Sequence, residues 1–360
     1  MPSEVRAVVV DPQAADGTRS VNAWHRGLQN SGFLARPAIS LGGSGQRGTQ
    51  GIPPALSGTR KTAVFPHYGV LSWYEDGPKE PKNAPPLLLI HSVSAASSAY
   101  DMKPFYEHYR HERRVIALDL PGFGFSSRQR RVYTPRVMAN AIGCVVEQVA
   151  QRNHYPPMDA IALSLSSEFL ARAVTERSRL FRTVGFVSPT GFEHATLRDG
   201  QARSTQGRHW LYSLLTQPAW RRKLYDWLTH PKMVRYFLRR TFGRRDVDAG
   251  LLAYDVLTSM PRGAEFAPLS FLAGYLFSND SGRLYQSLRC PVWVAHGDRG
   301  SFARAPGLAQ MRALPNWRID SFQSGAMPQF EQPQALFDAY NEWLSQVAST
   351  QRPQSLLGTV

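Results

Sequence analysis

The chain has 360 residues, of which 42% are hydrophobic and 11% aromatic, so it is long and apolar enough to bury the core of a globular domain. Its 42 lysine and arginine residues outnumber 27 acidic residues, and the net charge of +15 favours anionic surfaces or substrates. No apolar run approaches the roughly 18 residues of a membrane span, and the start MPSEVRAVVVDPQ has too short an apolar stretch for a secretory signal. We therefore expect a cytoplasmic protein, either free or peripherally bound to a membrane.

Residues 1–60 differ in composition from the rest of the chain. They contain LGGSGQRGTQG, show no sustained hydrophobic period and carry arginines with few acids, which predicts a disordered basic extension. The next segment, TAVFPHYGVLSWYEDG, predicts two short strands joined by a turn. At the other end, residues 348–360 are predicted to form a flexible tail.

Strand patterns and amphipathic helix patterns alternate through residues 61–189 and 289–347. The strand-like segments are PPLLLIHS, RRVIALDLPG, MDAIALSLS, RTVGFVSP, CPVWVAHGD and NWRIDSF. Such alternation predicts an α/β fold with a mostly parallel sheet of about eight strands, covered by helices on both faces. Between residues 190 and 288 the alternation stops, and a helical region rich in Trp, Tyr and Arg predicts a cap inserted at the carboxyl edge of the sheet.

Ser164 lies between one of these strand patterns and the helical pattern SEFLARAVTE. The residues two positions before and after it, Ala162 and Ser166, are both small. A serine between small residues at a strand-to-helix turn is typical of a nucleophile elbow, in which a sharp turn holds the hydroxyl above the sheet. Glycine is usual at both flanking positions, so alanine and serine are departures from the pattern.

Further segments follow in an order that resembles the α/β-hydrolase family over roughly residues 62–347. LLLIHSVSAASSAY is similar to the family's His-Gly strand end, with Ser92 in the glycine position, and ALDLPGFGFSS is similar to its D-x-P-G-x-G-x-S loop. CPVWVAHGDRG resembles the strand that delivers the catalytic acid, and MPQFEQPQ resembles the segment after the histidine. The resemblance implies that Ser164 is the nucleophile and that the backbone N–H groups of Val93 and Leu165 form an oxyanion hole.

The resemblance breaks at the two positions that would activate the serine. The family carries its acid in a G-D-x-D segment, whereas this chain reads GDRG, with Gly300 in the catalytic position. Aligning MPQFE with the segment after the histidine puts Ala326 where the histidine belongs. Because a serine hydroxyl is a poor nucleophile without an adjacent base, the plain triad mechanism does not follow.

Three interpretations stay open. The first is a hydrolase with relocated partners, in which His194 reaches Ser164 and Asp298 or Glu193 orients it, while His91 and His296 are structural. The second is a hydrolase fold kept for ligand binding without catalysis. The third is a different reaction in the same pocket, such as a lyase step that uses the oxyanion hole. We expect a small apolar or acyl substrate. The sequence shows no metal-ligand spacing and no dinucleotide fingerprint, so we expect no cofactor.

Residues 217–245, QPAWRRKLYDWLTHPKMVRYFLRRTFGRR, combine arginines and lysines with aromatic residues at helical spacing. A basic face beside an aromatic face is typical of a helix that lies on an anionic membrane. The same pattern is expected of an apolar stripe that packs on the sheet with the arginines solvated, and we favour this second interpretation. Nucleic-acid binding is not expected, since no reader motif accompanies the charge.

Overall fold

A computed structural model describes residues 7–9, 51–78, 84–300 and 305–350. Within these ranges a single sheet of nine strands runs through the molecule in the order β1-β2-β3-β5-β4-β6-β7-β8-β9. The strands are β1 Ala7–Val9, β2 Thr59–Phe65, β3 Gly69–Asp76, β4 Leu87–Ile90, β5 Val115–Asp119, β6 Met158–Leu163, β7 Phe181–Val187, β8 Val292–Gly297 and β9 Trp317–Phe322. From one edge, β1, β2, β3 and β5 pair with one another antiparallel. The remaining neighbours, in the order β5, β4, β6, β7, β8 and β9, pair parallel.

The predicted α/β fold is confirmed, and the hairpin predicted in TAVFPHYGVLSWYEDG is present as β2 and β3. Eight strands, β2 to β9, correspond to the predicted sheet, and β1 adds a three-residue strand at its edge. The middle parallel strands β4, β5 and β6 are buried along their whole length. Their near-continuous apolar sequences follow from this burial on both faces.

Helices cover both faces of the sheet. Those outside the β7–β8 connection are α1 Lys103–Tyr109, α2 Pro135–Asn153, α3 Ser166–Glu176, α10 Leu308–Met311, α11 Pro328–Glu331 and α12 Pro333–Thr350. One core cluster joins the sheet to α2 and α3 through residues such as Ile142 and Phe169. The other joins it to α1 and α12 through Phe105 and Leu336.

The connection from β7 to β8, residues 188–291, is described throughout and holds six helices, which we call the insertion. They are α4 His209–Leu215, α5 Arg221–Leu228, α6 Pro231–Phe242, α7 Ala249–Ser259, α8 Phe266–Leu272 and α9 Ser281–Gln286. The insertion contacts loops at the carboxyl ends of the parallel strands: Tyr225 Oη donates to Ala95 O at 2.8 Å, and Thr258 Oγ1 donates to Ala96 O at 2.9 Å. Because active sites in such folds are built at that edge, the insertion lies where it can shape one.

The predicted limit of the N-terminal extension was wrong by about ten residues. Ile52, Ala55 and Leu56 are buried against the second core cluster. Their segment is also hydrogen-bonded, because Ala55 N–H donates to Tyr74 Oη at 2.9 Å and Tyr254 Oη donates to Pro53 O at 2.8 Å. These apolar residues flank Pro53 and Pro54 and show no regular period that would have predicted a strand or helix. Most of residues 1–60 and the tail from 351 onward lie outside the described residues.

The loop after β5 explains its D-x-P-G-x-G-x-S sequence. Asp119 accepts hydrogen bonds from Ala99 N–H and Phe125 N–H, both at 2.9 Å, and so ties the loops after β4 and β5 together. Gly124 has φ of 49°, and a Cβ atom there would lie 2.0 Å from Asp119 Cγ. Glycine is therefore required at 124 both by the left-handed backbone and by the closeness of the carboxylate.

We expect Gly124→Ala to lower the free energy of unfolding by about 2–5 kcal/mol, since about 1–2 kcal/mol of backbone strain adds to about 1–3 kcal/mol of overpacking. Gly51→Ala is the matched control, because Gly51 has φ of 91° with nothing within 4 Å of the added Cβ. It should show the strain alone. Urea unfolding of both variants measures the difference, and equal losses would contradict the close-contact argument.

Candidate active site

The turn predicted at Ser164 is present between the end of β6 and the start of α3. Ser164 has φ of 56°, in the left-handed region, and its N–H donates to Val187 O on β7 at 2.8 Å. Its side chain is half-buried. A left-handed conformation costs a residue with a Cβ about 1–2 kcal/mol and persists where the surrounding structure enforces it. The strand–turn–helix geometry is thus built at this serine.

Ser166 departs from the usual glycine because its hydroxyl has a partner. The buried Ser166 Oγ donates to His91 O, at the end of β4, at 2.6 Å. The side chain therefore joins the start of α3 to the strand that precedes the predicted oxyanion-hole residue Val93.

His91 has the structural role that the sequence suggested. Its ring nitrogen Nε2 accepts from Leu120 N–H at 2.9 Å, and Nδ1 donates to Ser92 O at 2.6 Å. Burial lowers the pKa of His91 to about 4, and the Ser92 hydrogen bond opposes that shift. The imidazole is therefore neutral and engaged at both nitrogens.

Val93 and Leu165 are both buried at the carboxyl edge of the sheet. Val93 belongs to the loop of residues 92–98 that follows β4, here called the β4 loop. The insertion holds this loop in position, because Tyr225 and Thr258 donate hydrogen bonds to two of the loop's carbonyl groups. Leu165 is the first residue after the turn and precedes α3. The two residues assigned to the oxyanion hole thus belong to the two segments that Ser166 and His91 O join.

The main chain at the end of α6 packs on both loops where the acid and the histidine would stand. Gly300 has φ of 85°, and a Cβ there would lie 3.1 Å from Arg240 O. At the second loop, Ala326 N–H donates to Thr241 O at 2.8 Å, and a Cβ at Gly325 would lie 2.4 Å from the carbonyl carbon of Phe242. The insertion backbone therefore takes up room beside both triad positions, and the left-handed conformation at Gly300 disfavours a carboxylate-bearing residue.

Glu331 links these same segments. It accepts from Gly325 N–H at 2.7 Å and pairs with Arg299 at 2.7 Å and with Arg244, just after α6, at 3.5 Å. Its side chain is 2% exposed. One buried carboxylate thus connects the loop of Arg299 and Gly300, the loop of Gly325 and Ala326, and the insertion.

His194 and Asp298, the predicted relocated partners, both have exposed side chains. The carbonyl of His194 lies 2.8 Å from the place of a Cβ at Gly307, and Asp298 N–H donates to Phe322 O at 3.0 Å. In the part of the chain that the structure describes, neither side chain makes a hydrogen bond to Ser164, so their role stays a prediction.

Sequence reasoning missed polar groups that lie at or near this edge. Ser188 follows β7 with φ of 46°, and its buried hydroxyl has no hydrogen-bond partner among the described residues. Asp101 and Asp255 are buried carboxyls, and burial raises the pKa of each. The one available signal was Ser92, since a hydroxyl in place of glycine needs a partner, and that partner is Asp101.

Two of the surface concavities among the described residues have volumes of about 500 and 240 Å³, and Ser164 does not line either of these two. The first is lined by residues such as Glu147 and Arg177, and the second by Arg172 and Asp280. Among the described residues, no three His, Cys, Asp or Glu side chains are grouped closely enough to hold a metal ion.

Comparison with known proteins places the chain in a family. Residues 87–339 match the model of the alpha/beta hydrolase family, a span that covers most of the chain. The chain belongs to the alpha/beta hydrolase family. No curated protein matches it.

Solved structures of this family share the fold at low identity. They include Cfl2 from Burkholderia cenocepacia (18% identical, 79% of this chain and 95% of that chain, TM-score 0.59). A thermophilic esterase from Thermogutta terrifontis is 19% identical over 78% of this chain and 95% of that one, with a TM-score of 0.57. A bromoperoxidase from Bacillus anthracis is 16% identical over 77% and 95%, with a TM-score of 0.55. Because these neighbours differ in activity, the likeness carries the fold and no substrate.

We expect Ser166→Ala to lower the free energy of unfolding by about 1–2 kcal/mol, because it removes a buried hydrogen bond and leaves the His91 carbonyl without that donor. Ser345→Ala is the control, since Ser345 is an exposed serine within α12. Denaturant unfolding compares the two, and an equal, near-zero effect would show that Ser166 does not join α3 to β4.

Proposed function

We propose that this alpha/beta hydrolase is a serine hydrolase of the ester-bond class that acts on a small apolar or acyl substrate through Ser164. The observation that supports it most is the backbone of Ser164, with φ of 56° in the left-handed region. Glycine would adopt this conformation without strain, yet the position carries a hydroxyl at the turn between β6 and α3. Strain of this kind is typical of residues kept for function.

Besides Ser164, the proposed reaction uses two backbone N–H groups and one proton carrier. The Ser164 oxygen attacks the ester carbonyl carbon, and the negative oxygen that forms is held by the N–H groups of Val93 and Leu165. Each such donor contributes about 2.7–4 kcal/mol in a known serine hydrolase. As the acyl–Ser164 bond forms and the ester C–O bond breaks, the alcohol leaves with the hydroxyl proton. Water then cleaves the acyl group and restores the serine. His194, oriented by Asp298, is the predicted carrier of that proton.

A second candidate function is ligand binding by a hydrolase fold that has lost catalysis. It is supported by the α6 main chain packed on the loops of Gly300 and Ala326, where a working family member would place its acid and histidine. The same elbow and amides would then hold an ester or carboxylate without cleaving it.

The two candidates are separated by covalent labelling. We expect a fluorophosphonate probe to label wild type at Ser164, and Ser164→Ala to lose both labelling and turnover of short acyl esters, because the attacking oxygen is gone. Ser345→Ala should behave as wild type. If His194→Ala or Asp298→Ala turns over short acyl esters about 100-fold more slowly than wild type, or slower still, that residue takes part in proton transfer. Equal, slow hydrolysis by wild type and Ser164→Ala would exclude the enzyme and leave the binding protein.

The insertion also supports a contact with anionic membranes, which we include in the proposal. The apolar stripe of the insertion packs on the core in part and is exposed in part. Val234 and Leu238 are buried, whereas Trp227 is 57% exposed and Phe237 is 45% exposed. Val234 and Leu238 are four residues apart and form one inward face of α6, which leaves Phe237 facing outward.

Exposed cations accompany the exposed aromatic residues. Lys223 lies one turn before Trp227 on α5, and the exposed Arg240 lies one turn after Phe237 on α6. Side chains one turn apart share a helix face, so aromatic and basic groups are presented together. This combination fits the boundary between acyl chains and anionic head groups. No helix in the described ranges has both the length and the hydropathy to cross a bilayer.

We expect wild type to sediment with phosphatidylcholine vesicles that contain phosphatidylserine, and to do so less at high salt, because salt screens surface charge. The double variant Trp227→Ala/Phe237→Ala should bind at least about tenfold more weakly, since each buried aromatic contributes about 1.5–3 kcal/mol. Val64→Ala, at an exposed apolar residue on β2, is the control. Equal binding of all three proteins, or no pelleting at low salt, would contradict the membrane contact.

A further inference from the structure

Asp101 lies next to the β4 loop, in the short 3-10 helix Ala99–Met102. It is 2% exposed. Its Oδ2 atom accepts two hydrogen bonds from Ser92, one from the N–H at 3.2 Å and one from the Oγ hydroxyl at 2.9 Å. Ser92 directly precedes Val93, so this carboxyl fixes the residue that leads into the predicted oxyanion-hole amide.

A chain of serine hydroxyls extends from that carboxyl through the β4 loop. Ser97 Oγ lies 3.1 Å from Ser92 Oγ and 2.8 Å from Ser94 Oγ, and its one hydroxyl hydrogen can be donated to either of them. Ser94 Oγ also accepts from Ala96 N–H at 3.1 Å. Asp101 therefore sits at the buried end of a network that spans the loop, and half-buried Ser94 sits at the other end.

Apart from Asp119, which accepts from Ala99 N–H just after the loop, the remaining supports of the loop described here are uncharged. The hydroxyls of Tyr225 and Thr258 hold its carbonyl groups from the insertion, and Gln329 Nε2 donates to Asp101 O at 3.1 Å from α11. Among these contacts, the carboxyl of Asp101 is the group whose hydrogen-bonding strength changes with ionisation. A carboxylate accepts stronger hydrogen bonds than a neutral carboxyl.

The groups around Asp101 place this ionisation near neutral pH. Burial raises the pKa of Asp101 to about 7, against the opposing hydrogen bonds from Ser92 and Ser97, and the charge of Asp119 on β5 raises it further. Burial raises the pKa of Asp119 to about 6, so it titrates lower. His91 on β4, with a pKa of about 4, is neutral throughout.

Asp255, on α7, responds to Asp101. Burial, and then the charge of Asp101, raise the pKa of Asp255 well above its usual range. Asp255 therefore stays neutral while Asp101 ionises, and its Oδ1 atom has no hydrogen-bond partner among the described residues. Replacing this neutral carboxyl by a neutral amide should change little around Asp101.

We propose that Asp101 is a positioning residue, and that in its ionised form it holds Ser92, and with it the Val93 amide, in place for the oxyanion. The role in catalysis rests on the proposed function of Ser164, whereas the ordering of the loop does not. At acidic pH the neutral carboxyl holds Ser92 more weakly and the β4 loop loosens. As the pH rises through the ionisation of Asp101, the loop tightens and the site becomes competent.

The test follows two readouts from pH 5.5 to 8.5: hydrogen-exchange protection of the β4 loop and the rate of fluorophosphonate labelling of Ser164. In wild type both should rise by about tenfold in a step near pH 7, the change expected when neutral hydrogen bonds become charge-assisted. Asp101→Asn should remove that step, because the amide keeps the shape but does not ionise. If loop protection or labelling in Asp101→Asn still changes near pH 6, that change is due to the ionisation of Asp119. Asp255→Asn is the control and should keep the wild-type step.

Ser92→Ala provides a second variant. It removes the hydroxyl that stabilises the carboxylate, so the pKa of Asp101 rises and the step moves to higher pH. A step near pH 7 in loop protection that survives in Asp101→Asn overturns the proposal. Labelling that occurs with the same pH profile in wild type and Asp101→Asn also overturns it and leaves the hydrolase standing. If no protein is labelled but loop protection follows the expected pattern, Asp101 orders the loop and the hydrolase proposal fails.

Discussion

The left-handed turn at Ser164 is the constraint on which the rest of this edge of the molecule depends. A residue with a Cβ holds φ of 56° there because both of its sides are fixed: Ser164 N–H is bonded to Val187 O on β7, and the Ser166 hydroxyl is bonded to His91 O on β4. The turn is therefore attached to the strands on either side of β6. Such local strain is maintained by parallel strands that are fully buried and cannot shift.

The loops around the turn are held by groups that differ from the usual set. Gly300 and Ala326, which the sequence predicts to stand at the acid and histidine positions, lie against the backbone at the end of α6, and the buried Glu331 carboxylate ties their loops and the insertion together. Only the carboxylate of these pairs is buried, because Arg244 and Arg299 are 41% and 42% exposed, and Glu331 keeps one arginine partner if the other is lost. The insertion thus supplies structural support to the loops that contain Gly300 and Ala326.

Buried acids replace some of the lost polarity on the other side of the turn. Asp101, Asp119 and Asp255 lie close enough to the β4 loop to shape it or to influence one another electrostatically, and desolvation is the largest cause of the raised pKa in each. Groups of this kind cluster at functional sites more often than elsewhere, because a carboxyl without a paired cation is costly to bury. At the β4 loop, the buried Asp101 carboxyl accepts two hydrogen bonds from Ser92, the residue before Val93.

The sequence was sufficient for the fold and for the elbow, because hydrophobic periodicity and small residues at a strand-to-helix turn are local properties. The apolar runs of β4, β5 and β6 and the glycines of the loop after β5 each report their own environment. The assignment of Gly300 and Ala326 to the acid and histidine positions also came from the sequence, and it stays a prediction. The burial of Ile52 and Leu56, the exposure of Trp227 and Phe237, and the partnership of Ser92 with Asp101 required the folded chain. The first two depend on which segments meet across long sequence separations, and the third depends on how the β4 loop folds back on itself over nine residues. A composition or a period carries no information about either.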